Sequence, residues 1–202
     1  LSHRGVDNGN GVQNTVQALK ETHKQHPTYV EMDIQETRDH KFVVMHDPNL
    51  SILARQNKKV DKQTLTGLTD TTIHENGHQT KIDSFDDYLH AAQQTHQKLL
   101  VEIKLNAGQN RQELVNRFIK RYGDSLLAHH DIIHSLDYGV VEQLKTQRPA
   151  LTVGYILPFN FIGVPQTKAD FYTMEYTTLN DRFVSGAHRE HKKVFAWTVN
   201  NS

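Results

Sequence analysis

Cysteine is absent from this chain of 202 residues, which removes disulfides, thiolate nucleophiles and cysteine-ligated zinc together. Net charge is absent too, because 23 lysines and arginines offset 23 aspartates and glutamates. Without a global positive field the chain lacks the usual basis of non-specific nucleic-acid binding, so no nucleic acid is expected as a partner. No apolar stretch approaches the ~20 residues that span a bilayer, and no charged-then-apolar segment opens the chain, so no transmembrane segment or signal is expected within it. Histidine is plentiful, at 14 residues, yet the histidines are scattered rather than paired at i and i+4 as a helical zinc motif requires.

What is present is enough apolar sequence, 36%, for one sizeable core, so residues 1–202 are expected to form a single domain. Short β-branched and apolar runs of strand length occur at Thr28–Ile34, Lys41–His46, Lys98–Leu105, Asp131–Leu136, Leu151–Leu157, Asp170–Tyr176 and Lys193–Val199. Amphipathic stretches of helical length lie among them, at Asn14–Gln25, Ser84–His96, Arg111–Tyr122, Tyr138–Gln147 and Leu179–His191. Alternation of this kind predicts a parallel sheet with crossover helices. Counting Leu1-Ser2-His3 as the tail of a further strand brings the total to eight, so the expected fold is an α/β (β/α)8 TIM barrel. The first strand is a stub and no helix follows the last, so the barrel is expected to be truncated at both ends. The polar stretch at about 47–83 is far longer than the ~2–6 residues usual for a βα connection and is expected to be a lid or small insertion after the third strand.

Ionisable and polar residues gather at strand ends: His3 and Arg4, Glu31 and Asp33, His46, Glu102 and Lys104, His134, Glu175 and Trp197. In a barrel the C-terminal strand ends build one cup. Glu31 and Asp33 are two apart, so both point inward while Val30, Met32 and Ile34 pack outward under helices. Paired buried carboxylates are costly unless a cation sits between them, and Glu102 adds a third oxygen donor. An all-oxygen set of Glu31, Asp33 and Glu102 suits one divalent cation, Mg²⁺ or Ca²⁺. Arg4 and Lys104 suit the grip on a phosphate, with Gly5 allowing close backbone approach. His3 and His46 suit proton transfer, because imidazole titrates near neutral pH. Plainer readings stand beside these: an internal ion pair for Glu102 with Lys104, a salt bridge for Glu175, and core packing for His134 and Trp197.

In their order along the chain, His3-Arg4-Gly5, Asn14-Thr15, Glu31-Met32-Asp33, His46-Asp47, Glu102-Ile103-Lys104, His134-Ser135-Leu136 and Trp197-Thr198-Val199-Asn200 resemble the signature of glycerophosphodiester phosphodiesterases. The resemblance implies hydrolysis of glycerophosphodiesters to glycerol 3-phosphate and an alcohol, with His3 and His46 as the acid–base pair. It implies a metal on Glu31, Asp33 and Glu102, and Arg4 and Lys104 on the phosphate side. Glu175 and Trp197 are expected to contact substrate. A lysophospholipid or a teichoic-acid-like polymer is a rival substrate. The wording around the motifs is most similar to membrane-anchored members from Gram-positive bacteria, which implies an anchored full-length protein. One departure concerns Gln13-Asn14-Thr15, where the family has Glu-Asn-Thr; the missing charge is expected to alter metal affinity or substrate choice. It also motivates an alternative, a catalytically silent barrel that binds glycerophosphate or a cell-envelope polymer.

Overall fold

A computed structural model describes Arg4, residues 11–157, residues 166–174, and the backbone alone at 158, 175 and 195–198. In chain order the elements are α1 (Val16–His23), β1 (Tyr29–Glu36) and β2 (Phe42–Val44), then a 3-10 turn (Val60–Lys62), α2 (Leu65–Thr69), β3 (Thr72–Glu75) and β4 (His78–Lys81). These are followed by α3 (Phe85–Gln94), β5 (Lys98–Ile103), α4 (Arg111–His129), β6 (Ile132–Ser135), α5 (Tyr138–Gln147), β7 (Val153–Pro158), β8 (Phe171–Glu175) and β9 (Phe195–Thr198). Seven strands form one sheet in the order β2-β1-β5-β6-β7-β8-β9, and β3 pairs only with β4.

The sheet is mostly parallel, as the alternation of strands and helices requires: β1, β5, β6, β7 and β8 run the same way. Two edges differ from the expectation of parallel strands throughout. β2 returns antiparallel to β1, because the five residues Thr37–Lys41 between them are too few for a crossover helix. The run Lys41–His46 is therefore a hairpin partner of β1 and not the third parallel strand of the count to eight. β9 pairs antiparallel to β8; the residues between them, 176–194, lie outside the described residues, as do the helix expected at Leu179–His191 and the stub Leu1–His3.

Each strand shows why it forms where it does. On β1, Val30, Met32 and Ile34 enter the main core with Leu99, Val101 and Ile103 of β5, while Glu31, Asp33 and Gln35 turn to the other face and are also buried. On α3 the apolar positions 85, 88, 89 and 92 form one stripe. Ser84 caps that helix by accepting from Asp87 N–H, and Asp86 and Asp87 sit favourably in its first turn. Phe85 packs edge-on to Tyr122 of α4 at 4.7 Å between ring centroids. Burying such a ring contributes ~1.5–3 kcal/mol.

Residues 47–83 carry a second, smaller core in which Leu50, Leu53, Leu68 and Ile73 join Val43 of β2, Met45 just after that strand and Val12 of the first loop. Their hairpin, β3 to β4, turns at Asn76 and Gly77 with φ of 55° and 75°, the left-handed pair that a tight two-residue turn demands. Among the described residues no helix is long and apolar enough to cross a membrane.

Candidate active site

Strand register assembles the site. Asp33 pairs with Glu102, Glu102 with His134, His134 with Gly154 and Gly154 with Phe171, so one row of inward positions crosses five strands. Glu31 lies one inward step below Asp33. Glu31, Glu102 and His134 each offer a ligand atom within 4.8 Å of the others, and all three are buried. His134 Nδ1 meets Thr173 Oγ1 at 3.0 Å, which fixes the ring in the manner of an oriented metal ligand. Gly154 leaves room for the Phe171 ring, which a Cβ there would strike.

Cations line the other side of the row. Lys104 Nζ stands 2.7 Å from Glu102 Oε2 and 3.9 Å from Asp33 Oδ1. Burial opposes its charge, but the carboxylates of Asp33 and Glu102 outweigh it and hold the ammonium above the ordinary lysine range. Burial pushes Glu102 well above the usual carboxylate range, and Asp33 and Glu31 add to the push while Lys104 opposes it. A further cation would relieve that crowding, so the donor set fits a divalent ion.

Arg4 sits in the left-handed region at φ 52° and reaches three partners. Its Nη2 is 2.6 Å from His46 Nε2, its Nη1 donates to Gln13 Oε1 at 3.3 Å, and its Nε is 3.7 Å from Asp33 Oδ2. Asn14 ties this loop to β1: its N–H donates to Arg4 O, its Nδ2 donates to Asp33 Oδ2, and its Oδ1 accepts from Asp33 N. His46 Nδ1 is 2.9 Å from Asp47 Oδ1, and that hydrogen bond holds the Asp47 carboxyl below its usual range. Gln35, the third inward residue of β1, donates from Nε2 to Met45 O at 2.7 Å and to Asp47 O at 2.8 Å, gripping the backbone on both sides of His46.

Of the residues singled out from sequence, Arg4, Asp33, His46, Glu102 and Lys104 are brought together, with Glu31 beside them. His3 and the side chains of Glu175 and Trp197 lie outside the described residues. Three contributors were not read from sequence in the places they take: His134 in the ligand group, Gln35 behind His46, and Glu75 of β3, which accepts from Gln13 N and Nε2. The alternation that marked Glu31 and Asp33 also marks Gln35, and the Asn76-Gly77 turn marks the hairpin that carries Glu75.

YhdW of Bacillus subtilis (strain 168), a protein named for glycerophosphodiester phosphodiesterase activity, is 26% identical over 223 residues, covering 100% of this chain and 86% of the relative. An Oleispira antarctica phosphodiesterase, solved with the product sn-glycerol-3-phosphate, superposes with a TM-score of 0.67 at 21% identity over 78% of this chain. A protein of Silicibacter pomeroyi DSS-3, named for the same family activity, superposes with a TM-score of 0.70 at 17% identity over 79%. The chain spans 65% and 64% of those two structures, just under two thirds. In fold the chain is of the barrel class that these structures share. Specifically, the chain belongs to the glycerophosphoryl diester phosphodiesterase family, whose model matches residues 3–202.

Proposed function

We propose that this chain, as one barrel domain over residues 1–202 with 47–83 as its insertion, hydrolyses glycerophosphodiesters to glycerol 3-phosphate and an alcohol. One observation carries the reading: Arg4, Lys104 and His46 converge beside the buried carboxylates of Asp33 and Glu102. A guanidinium and an ammonium on one rim suit a phosphodiester, the guanidinium forking onto two oxygens and the ammonium acting as a point charge. Asp47 holds the Nδ1 hydrogen of His46, so Nε2 is the atom that takes or gives a proton. Substrate phosphate competes for the Arg4 guanidinium and thereby releases Nε2 for that transfer. His3 is the second proton carrier in this reading. Glu31 and Glu102, which with His134 bring ligand atoms within 4.8 Å of one another, and Asp33, which pairs with Glu102 across the strands, would admit Mg²⁺ or Ca²⁺, and such an ion when bound would neutralise phosphate charge.

Support comes from the family match and from the Oleispira relative's complex with sn-glycerol-3-phosphate. The test is product analysis on a glycerophosphodiester, a lysophospholipid and a poly(glycerol phosphate), each with Mg²⁺ or Ca²⁺ and with chelator. Metal-dependent release of glycerol 3-phosphate is expected from the first. Binding without turnover on all three would replace the enzyme with the silent, ligand-binding barrel.

A further inference from the structure

The insertion hairpin reaches back to the phosphate side of the site. Glu75, the last residue of β3, accepts two hydrogen bonds from Gln13, at 2.9 Å from its backbone N and 2.7 Å from its Nε2. Next to it, Asn76 Nδ2 donates to Gly11 O at 3.0 Å. Val12 between them is packed in the same small core as Ile73 of β3. The first loop is thus stapled to the hairpin by three hydrogen bonds and a shared apolar core.

The polarity of this staple is directional. A carboxylate accepts only, so Glu75 compels the Gln13 amide to present its nitrogen to the hairpin and therefore its oxygen to Arg4, whose Nη1 donates to it at 3.3 Å. An acid at position 13 would meet Arg4 directly but would abut Glu75. The missing charge at Gln13 and the carboxylate at Glu75 are therefore two halves of one arrangement.

We propose that Glu75 is a positioning residue for Arg4, acting through the Gln13 amide, so that the insertion sets the phosphate grip. This rests on the proposed placement of Arg4 at the substrate phosphate. Its test is a four-protein cycle of wild type, E75Q, Q13E and Q13E/E75Q, read by glycerol 3-phosphate affinity in calorimetry and by KM and kcat on a glycerophosphodiester.

E75Q is expected to raise KM and weaken glycerol 3-phosphate about three- to tenfold with kcat changed less, because the charge-assisted bonds that orient the amide are lost. Q13E sets two carboxylates against each other and is expected to weaken binding by more, about 30-fold. The exchanged pair should recover to within about threefold of wild type, since an amide at 75 can donate to a carboxylate at 13 while still accepting from its backbone. A merely structural Glu75 would lower the melting temperature of E75Q and leave affinity and KM in place, which would overturn the proposal. So would a double variant no better than Q13E, or equal affinity, including none, in all four proteins. Affinities ordered as expected without turnover in wild type would remove the hydrolytic reading and leave the relay standing.

Discussion

His46 Nε2 lies 2.6 Å from Arg4 Nη2, while its Nδ1 lies 2.9 Å from Asp47 Oδ1. Because a guanidinium only donates, Nε2 is the accepting nitrogen and Nδ1 carries the hydrogen that Asp47 receives. The ring is thereby held in one tautomer with its basic nitrogen on the cup side. His46→Ala is expected to cost turnover about 10²-fold or more with the fold intact. Asp47→Asn, which still accepts from Nδ1 but without charge, should cost about tenfold. Steady-state kinetics with circular dichroism checks both, and wild-type kcat in His46→Ala would remove it from the mechanism.

Gln35 spends both of its Nε2 hydrogens on the carbonyls that flank His46, and its Oε1 accepts from Asn106 Nδ2 at 2.9 Å. Gln35→Leu leaves those groups in a buried setting without their donor, so stability should fall by about 1–3 kcal/mol. If the clamp positions His46, kcat should fall about tenfold while KM moves little. Denaturant midpoints and kinetics on the same samples separate the two effects; lower stability with unchanged kcat would reduce Gln35 to a scaffold residue.

Glu102 is crowded by Asp33 and Glu31 and only partly relieved by Lys104. A divalent ion should therefore raise the melting temperature of wild type, and chelation should reverse the gain. Glu102→Gln removes one of the crowding charges, so the chelated variant should melt no lower than chelated wild type while losing most of the metal-dependent increment. An increment equal to that of wild type would take Glu102 out of the ligand set.

Away from the site, burial raises the Asp131 carboxyl from 3.8 to about 6, against its hydrogen bond from Leu99 N and the nearby His129. The folded state thus holds this proton more tightly than the unfolded chain does. Its contribution to stability is full below pH 3.8 and is lost as pH rises through about 6. Asp131→Asn should flatten that fall and gain up to about 1–3 kcal/mol at pH 7. Urea midpoints at several pH values between 4 and 7 measure it, and parallel profiles for the two proteins would contradict the assignment.

Much of this arrangement is legible in the sequence because it follows short periods. The two-residue alternation of β1 places Val30, Met32 and Ile34 against the helices and Glu31, Asp33 and Gln35 on the opposite face, as its pattern predicts. The seven strand runs, too, meet the seven strands of the main sheet. The direction of β2 was less legible: Lys41–His46 looks like any other apolar run, and only the short Thr37–Lys41 link betrays the hairpin. α4 continues to His129, beyond the Tyr122 expected, because Leu126 extends its buried stripe past Gly123. Glu75 was out of reach, since its bond to Gln13 joins positions 62 apart and depends on how the insertion folds back. His134 stood at a recognised strand end, but its place beside Glu31 and Glu102 follows from register, which pairs it with Glu102.

The most direct test of the central claim is a crystal structure of the intact protein with glycerol 3-phosphate and Mn²⁺, whose anomalous signal locates the cation. The phosphate is expected between Arg4 and Lys104, within reach of His46, and the anomalous peak among Glu31, Glu102 and His134 with Asp33 beside it. A phosphate bound elsewhere, or a cation away from those carboxylates, would contradict it.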